Sequence, residues 1–487
     1  MRRPRRSAPI GTLLDLSVAA LLSAALLRRC ERASRRGARD AVRRLQRQRL
    51  AALLRHAAER SPFYRRRWGG RVPTPDELSE LEPVDRRTLL VDQFDAAVTR
   101  PGLDRQRARE LLPGDDGRPR AAIRMVATSG TTGEPALVPF THADWRLGMA
   151  GIIRTADLMV RGAGRATGSS PPGSRRAPAA AWWHLLRERP RVAGISTLNP
   201  MHISTQMSAS FALGLVPSLR LVAGSPIGEQ VERLERFRPT VLGGYPSAIA
   251  PLVDAAAAGT LRIAPQLVFT GGETVTPVLR RRVREAWGVE VFDSYGLSET
   301  LIVAGECEAH RGMHLYEDLV VLEVVDEQDR VLPPGERGAA VLLTSLVNRT
   351  LPFIRYRVGD LVTVDEAPCP CGLTLPRIVA VEGRREEMLS LATSAGECVD
   401  VHPFAIETPL EEIDGVRAMR VEAGPDGGVS IALVPERAGE GEVIRQSAHA
   451  RVAGALRPLG IPPDRVQVAI VASLDARRGP TGKRLRE

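Results

Sequence analysis

From residue 120 onward, short apolar runs alternate with stretches whose apolar residues recur every three or four positions. Apolar runs of about four to eight residues between turn signals read as buried strands, and a 3.6-residue period reads as helix. The spacing predicts strands at 191–198, 220–223, 240–242, 267–270 and 290–292, with helices at 226–238, 247–258 and 277–286 between them. Strand and helix in alternation argue an α/β sheet. Upstream, Leu45, Leu50, Leu53, Leu54 and Ala57 mark one helical face, and residues 11–68 read as one or two amphipathic helices. Residues 161–179, rich in Gly, Ser, Pro and Arg, read as a loop or insertion. Beyond residue 315 the pattern turns strand-rich, at 319–325 and 338–345. Residues 385–487 read as a small α+β unit, with strands at 417–422, 428–434 and 466–471 and a helix at 440–457.

A length of 487 residues suggests roughly two to four domains. The expected division is a basic helical segment over 1–68, a large α/β domain over 69–383, and a small α+β domain over 384–487. The net charge of +11 raises the question of nucleic acid, but the Arg excess is dispersed and aromatics are only 4%. A nucleic-acid surface needs a basic stripe with stacking residues, so that partner is excluded. The most concentrated basic region is the first 67 residues, which suits weak contact with an anionic membrane surface. The apolar run Leu16–Leu27 is too short for an ordinary membrane span. Arg28, Arg29 and Cys30 follow it with no small-x-small cleavage signal. The cysteines, Cys30, Cys307, Cys369, Cys371 and Cys398, are odd in number in a long chain. That argues against a disulfide scaffold and for a reducing, cytoplasmic setting.

Of the 68 Lys and Arg residues, Lys483 is the sole lysine. A compact ammonium on a flexible stem reaches sites that the wide guanidinium fork does not. Its retention marks a candidate for chemistry that Arg cannot perform. A second candidate is Thr128-Ser129-Gly130-Thr131-Thr132-Gly133-Glu134-Pro135, which follows the apolar run 123–127. Hydroxyls and glycines packed this closely offer many O–H and N–H donors, a phosphate-cradling composition. It lacks the Gly-Lys-Ser/Thr ending of the Walker loop.

That string resembles the phosphate-binding signature of the adenylate-forming superfamily, which includes acyl-CoA synthetases, luciferases and nonribosomal adenylation domains. Four further strings resemble the superfamily's motifs in order. They are Asp293-Ser294-Tyr295-Gly296-Leu297-Ser298-Glu299-Thr300, Arg355-Tyr356-Arg357-Val358-Gly359-Asp360, Gly383-Arg384-Arg385-Glu386-Glu387-Met388-Leu389, and Gly482-Lys483. Ser61-Pro62-Phe63-Tyr64, Gly244-Tyr245-Pro246-Ser247, Asn348–Tyr356 and Cys369-Pro370-Cys371-Gly372 resemble the phenylacetate–CoA ligase-like branch.

The resemblance implies ATP-dependent adenylation of an aryl or other carboxylic acid, followed by transfer to a thiol, most simply coenzyme A. Transfer to a carrier-protein thiol or an amine, or a nucleotide-binding protein that has lost catalysis, are the alternatives. The resemblance assigns Thr128, Ser129, Gly130, Thr131, Thr132 and Gly133 to the phosphates. Gly271, Gly272 and Glu273 line the purine. Tyr295 stacks on adenine within the motif begun by Asp293, Ser294 and Gly296, and Glu299 ligates Mg2+. Asp360 accepts from the ribose hydroxyls, with Arg384 helping from the hinge near Glu386. Lys483 meets the charge that builds at the α-phosphate and carboxylate. Glu134 stands where the family usually carries Lys. Phe140, Tyr245 and Pro246 are candidates for the acid pocket. Three cysteines and a histidine, Cys307, His314, Cys369 and Cys371, make a tetrahedral set for structural Zn2+, with His310 in reserve.

Overall fold

The structure is a computed structural model that describes residues 35–113, 122–128, 136–166, 190–197, 199–211, 216–384, 388–401, 403–411, 413, 415–435 and 437–472. The first described elements are helix α1 (Arg35–Arg60) and the short α2 (Pro62–Arg67), separated by Ser61, whose Oγ accepts from the Tyr64 amide. Strands β1 (Ile123–Thr128) and β2 (Ala136–Thr141) form an antiparallel pair, and the long helix α3 (His142–Ala166) follows. Here the expected loop at 161–179 is corrected, because α3 runs on through residue 166. Its glycines look like helix breakers in sequence, yet they permit close packing. A Cβ on Gly162 would lie 2.5 Å from the Phe292 ring.

A parallel sheet then builds from β3 (Val192–Ser196), β4 (Ser218–Val222), β5 (Val241–Gly244), β6 (Leu267–Thr270) and β7 (Val291–Phe292), in the order β4-β3-β5-β6-β7. The crossings are made by α4 (Ile203–Phe211), α5 (Ile227–Phe237), α6 (Pro246–Ala257) and α7 (Pro277–Trp287). Helix α7 shows why these segments start and stop where they do. Thr276 Oγ1 accepts from the Leu279 amide at 3.0 Å, Pro277 sits in the first turn, and Gly288 closes the helix at φ +69°. The sheet and these helices enclose their own core around Ile195, Leu242, Ile249, Val268 and Val283.

An antiparallel sheet follows, from β8 (Ser294–Tyr295), β9 (Ala304–Glu306), β10 (Met313–Leu315), β14 (Asp360–Asp365) and β15 (Arg377–Arg384), in the order β14-β15-β10-β9-β8. Between them in sequence, β11 (Val320–Val325), β12 (Ala340–Ser345) and β13 (Tyr356–Val358) make a three-stranded sheet, with β12 central and buried along its length. Helix α1 belongs to this body. Val42, Leu50, Leu53 and Leu54 lie in the same core as Val126, Phe140, Tyr316 and Phe353. Asp318 also ties it there, accepting from Arg154 at 2.8 and 3.1 Å and pairing with Arg49 at 3.3 Å.

The remaining strands, β16 (Leu389–Ala392), β17 (Cys398–Val401), β18 (Val416–Ala423), β19 (Val429–Pro435) and β20 (Val466–Ile470), join helices α8 (Pro403–Glu411) and α9 (Gly441–Leu456). They close around a separate core that includes Leu391, Ile406, Ile431, Leu433 and Leu456.

Candidate functional site

Ligand crevices of parallel sheets form beyond the C-terminal ends of the strands. Here those ends are Ser196, Gly244 and Thr270. Tyr245 leaves β5 and Pro246 opens α6; both are buried. Glu273, which follows Gly271 and Gly272 after β6, accepts from the Ser247 amide at 3.0 Å and its hydroxyl at 3.1 Å. It therefore anchors the first turn of α6, where a carboxylate complements the free N–H groups and the helix dipole. A Cβ on Gly271 would lie 2.7 Å from Ser294 Oγ. Only glycine lets the two segments approach this closely, and the Ser294 hydroxyl donates to the Thr270 carbonyl at 3.0 Å.

Asp293 is buried beneath this junction. Thr270 donates to its Oδ1 at 2.9 Å, and its own amide donates to Glu306 at 2.7 Å. Arg280 neutralises Glu306 at 3.2 Å. Burial, followed by repulsion from Glu306, pushes the Asp293 carboxyl up to about 6. Tyr295 sits on edge strand β8 and Asp360 opens the opposite edge strand, β14. The sheet curls until the Tyr295 hydroxyl donates to Asp360 Oδ2 at 2.5 Å. The strand register sets Asp360 opposite Arg384. Glu299, in the turn after β8, is buried at 7% exposure, and Ser345 donates to its carbonyl at 3.4 Å.

The four soft ligands converge. Cys307 follows β9, His314 lies in β10, and Cys369 and Cys371 sit in the β14–β15 loop. Their ligand atoms all lie within 4.8 Å of one another. Cys307 Sγ is 3.7 Å from Cys369 Sγ, and His314 Nε2 is 3.2 Å from Cys371 Sγ. His314 Nδ1 faces the Leu375 carbonyl at 3.3 Å. An Nδ1–H donated there leaves the Nε2 lone pair for the centre, the usual support for a metal-bound imidazole. The S–H groups of Cys307 and Cys371 hold Cys369 well below the usual thiol range. Cys307 is pushed up to about 12, chiefly by its bond to Cys369. His310 turns away, beside Glu306 at 3.4 Å and against the Phe292 ring.

The family described as AMP-binding enzyme matches residues 42–347. The chain belongs to the AMP-binding enzyme family. It is 28% identical to the phenylacetate-coenzyme A ligase of Thermus thermophilus over 391 residues, covering 78% of this chain and 77% of that one. It is 29% identical to the phenylacetate-coenzyme A ligase of Escherichia coli over 388 residues, covering 77% of each. The crystal structure of 2-hydroxyisobutyryl-CoA ligase in the postadenylation state shares the fold. Its TM-score is 0.66 at 20% identity, covering 94% of this chain and 91% of that one.

In this AMP-binding enzyme the match to the family contains the whole parallel sheet and Glu299. Asp360, Cys369, Cys371 and Arg384 lie beyond it. Thr128 ends β1, while Ser129, Gly130, Thr131, Thr132, Gly133, Glu134, Glu386 and Lys483 lie outside the described residues. Phe140 is enclosed in the principal core, edge-on to Trp145 with ring centroids 5.7 Å apart. Tyr245 stands at the crevice, and burial raises its hydroxyl pKa. Sequence reasoning missed Thr270 and Glu306, which support Asp293. Each is a lone polar residue at a strand end, and nothing in the local pattern marks it.

Proposed function

We propose that this enzyme activates a carboxylic acid with ATP and passes the acyl group to coenzyme A. A carboxylate oxygen attacks the α-phosphorus, the new P–O bond displaces pyrophosphate, and an acyl-adenylate forms. The coenzyme A sulfur then attacks the acyl carbon, AMP departs, and the thiol proton is released. The observation that carries this reading is the Tyr295–Asp360 pair beyond the ends of the parallel strands, in a chain of this family. An aromatic face beside an acceptor-only carboxylate suits adenine and the ribose hydroxyls. The two phenylacetate-coenzyme A ligases support an aryl or related acid.

In this reading Glu299 offers a hard oxygen to Mg2+, which would offset phosphate charge. Thr128 to Gly133 cradle phosphates, and Lys483 stabilises charge at the α-phosphate. Three thiols and an imidazole within 4.8 Å fit Zn2+ in a closed structural site. The division into 69–383 and 384–487 is part of the proposal, supported by the separate core of residues 389–466, whereas helix α1 of the 1–68 segment shares the principal core. So is a cytoplasmic setting, supported by the free thiols of Cys307, Cys369, Cys371 and Cys398. Among the described residues no helix is long and apolar enough to cross a membrane.

The test is hydroxylamine-trapped adenylation with pyrophosphate detection, over a panel of aryl and fatty acids, for wild type and Lys483→Ala. Acid-dependent pyrophosphate release that falls by about 100-fold or more in the variant is expected. Coenzyme A should then replace hydroxylamine as acceptor. ATP binding by calorimetry with no pyrophosphate from any acid would instead mean a nucleotide-binding protein without catalysis.

A further inference from the structure

The backbone immediately after Glu299 is held in an unfavourable form. Leu301 has φ +70°, a region that bulky L-residues avoid, and its side chain is 3% exposed. The residue between them, Thr300, is fully enclosed, and its Oγ1 has no hydrogen-bond partner among the described residues. Two consecutive residues thus carry a local cost directly beside the carboxylate assigned to Mg2+. Such costs persist only where the surroundings enforce them, and they concentrate at functional sites.

The enforcing groups are identifiable. The Leu301 amide donates to the Leu297 carbonyl at 2.8 Å, closing a tight turn around Glu299. Gly296 lets the turn close, because a Cβ there would lie 2.5 Å from the Leu301 carbonyl oxygen. Helix α3 supplies the mould. A Cβ on Gly148 would lie 3.0 Å from the Leu301 side chain, and one on Gly151 would lie 2.3 Å from Ile302 Cγ2. These glycines, one helical turn apart, leave two notches that receive Leu301 and Ile302. Ser345 holds the turn from β12 through the Glu299 carbonyl.

We propose that Leu301 is a positioning residue. Its positive-φ backbone, held by its own side chain in the Gly148 notch of α3 and by Ile302 in the Gly151 notch, fixes the direction of Glu299 before cation and nucleotide arrive. This rests on the reading of Glu299 as the Mg2+ ligand. The test uses the full-length enzyme with ATP and Mn2+ as the probe, following Mn2+ binding by electron paramagnetic resonance beside the thermal midpoint. Leu301→Ala and Leu301→Gly empty nearly the same space, but only glycine relaxes the backbone. Leu301→Ala, which empties the Gly148 notch, is expected to lower the midpoint and weaken Mn2+ binding about fivefold or more. Leu301→Gly is expected to lower the midpoint less, because glycine accepts φ +70° without strain, and to weaken Mn2+ binding at least as much as Leu301→Ala. Mn2+ affinity that simply follows the midpoint, with Ala worse than Gly in both, overturns the proposal. Gly148→Ala, which presses on an unaltered Leu301, is expected to weaken Mn2+ binding, and unchanged affinity counts against the proposal. Glu299→Gln separates the two levels. If it leaves Mn2+ binding unchanged, the metal reading itself fails; if it abolishes binding while Leu301→Gly does not weaken it, only the positioning role fails.

Discussion

The antiparallel sheet carries two unlike groups of side chains. At the Tyr295–Asp360 contact, the edge strands meet through a hydrogen bond that protein atoms complete by themselves. At Cys307, His314, Cys369 and Cys371, three sulfurs and a nitrogen crowd within 4.8 Å of one another, with more soft donors than the protein's own hydrogen bonds employ. The first group is finished as protein and offers a surface to a ligand. The second is proposed to be completed by a cation at its centre. Loss of a member should therefore reduce nucleotide affinity in the first group and stability in the second.

The cluster gives the larger effect. Cys369→Ser is expected to lose bound zinc, measured by elemental analysis, and to lower unfolding free energy by on the order of 3 kcal/mol. Retained stability in a zinc-free variant would break the comparison, since the cluster would then be ordinary thiol packing. Wild-type zinc retention should fall as pH drops, because bound sulfurs must shed their protons and acid returns them.

On the other side, Asp360→Asn should leave the thermal midpoint nearly unchanged and lower kcat/KM for ATP by about 10- to 100-fold, the range for a hydrogen bond to a charged group. Tyr295→Phe keeps the ring and should cost about threefold to tenfold in the same constant. A fall in kcat/KM for the acid instead of ATP would assign this pair to the other substrate.

Much of this arrangement was legible in local sequence. The apolar run at 267–270 is β6, and the helix expected at 277–286 is Pro277–Trp287, because cap, proline and closing glycine all act within a few residues. The motif strings were legible in the same way. Their meeting was not. Tyr295 and Asp360 are 65 residues apart, and Cys307 and Cys369 are 62 apart. Only the curl of the sheet and the β14–β15 loop bring them together. Helix α3 was hidden by Gly148, Gly151 and Gly162, which weaken helix propensity while making room for Leu301, Ile302 and Phe292. Glu273 lines the purine by resemblance, and its hold on the first turn of α6 through Ser247 is a separate contact that the local sequence does not mark.

An effect on stability alone tests whether the first group's completeness extends to its buried acid. The Asp293 carboxyl is raised to about 6 from a usual 3.8, first by burial and then by Glu306. Below pH about 4 it is protonated in both folded and unfolded chains and costs nothing. Between about 4 and 6 the unfolded chain ionises first, so stability falls as pH rises, and above about 6 the penalty is complete. Asp293→Asn keeps an acceptor for Thr270 and removes that charge. Denaturant unfolding should find the variant equal to wild type near pH 4 and more stable at pH 8, by on the order of 2 kcal/mol. Equal stability at both pH values would mean that Arg280 and the surrounding donors compensate the ionised carboxylate fully. A stability gain accompanied by weaker ATP binding would show that the acid is kept for the shape it gives the nucleotide strand, at a cost to the fold. That result would distinguish the two groups most sharply, because the sulfur cluster is proposed to serve stability, with no part in the reaction.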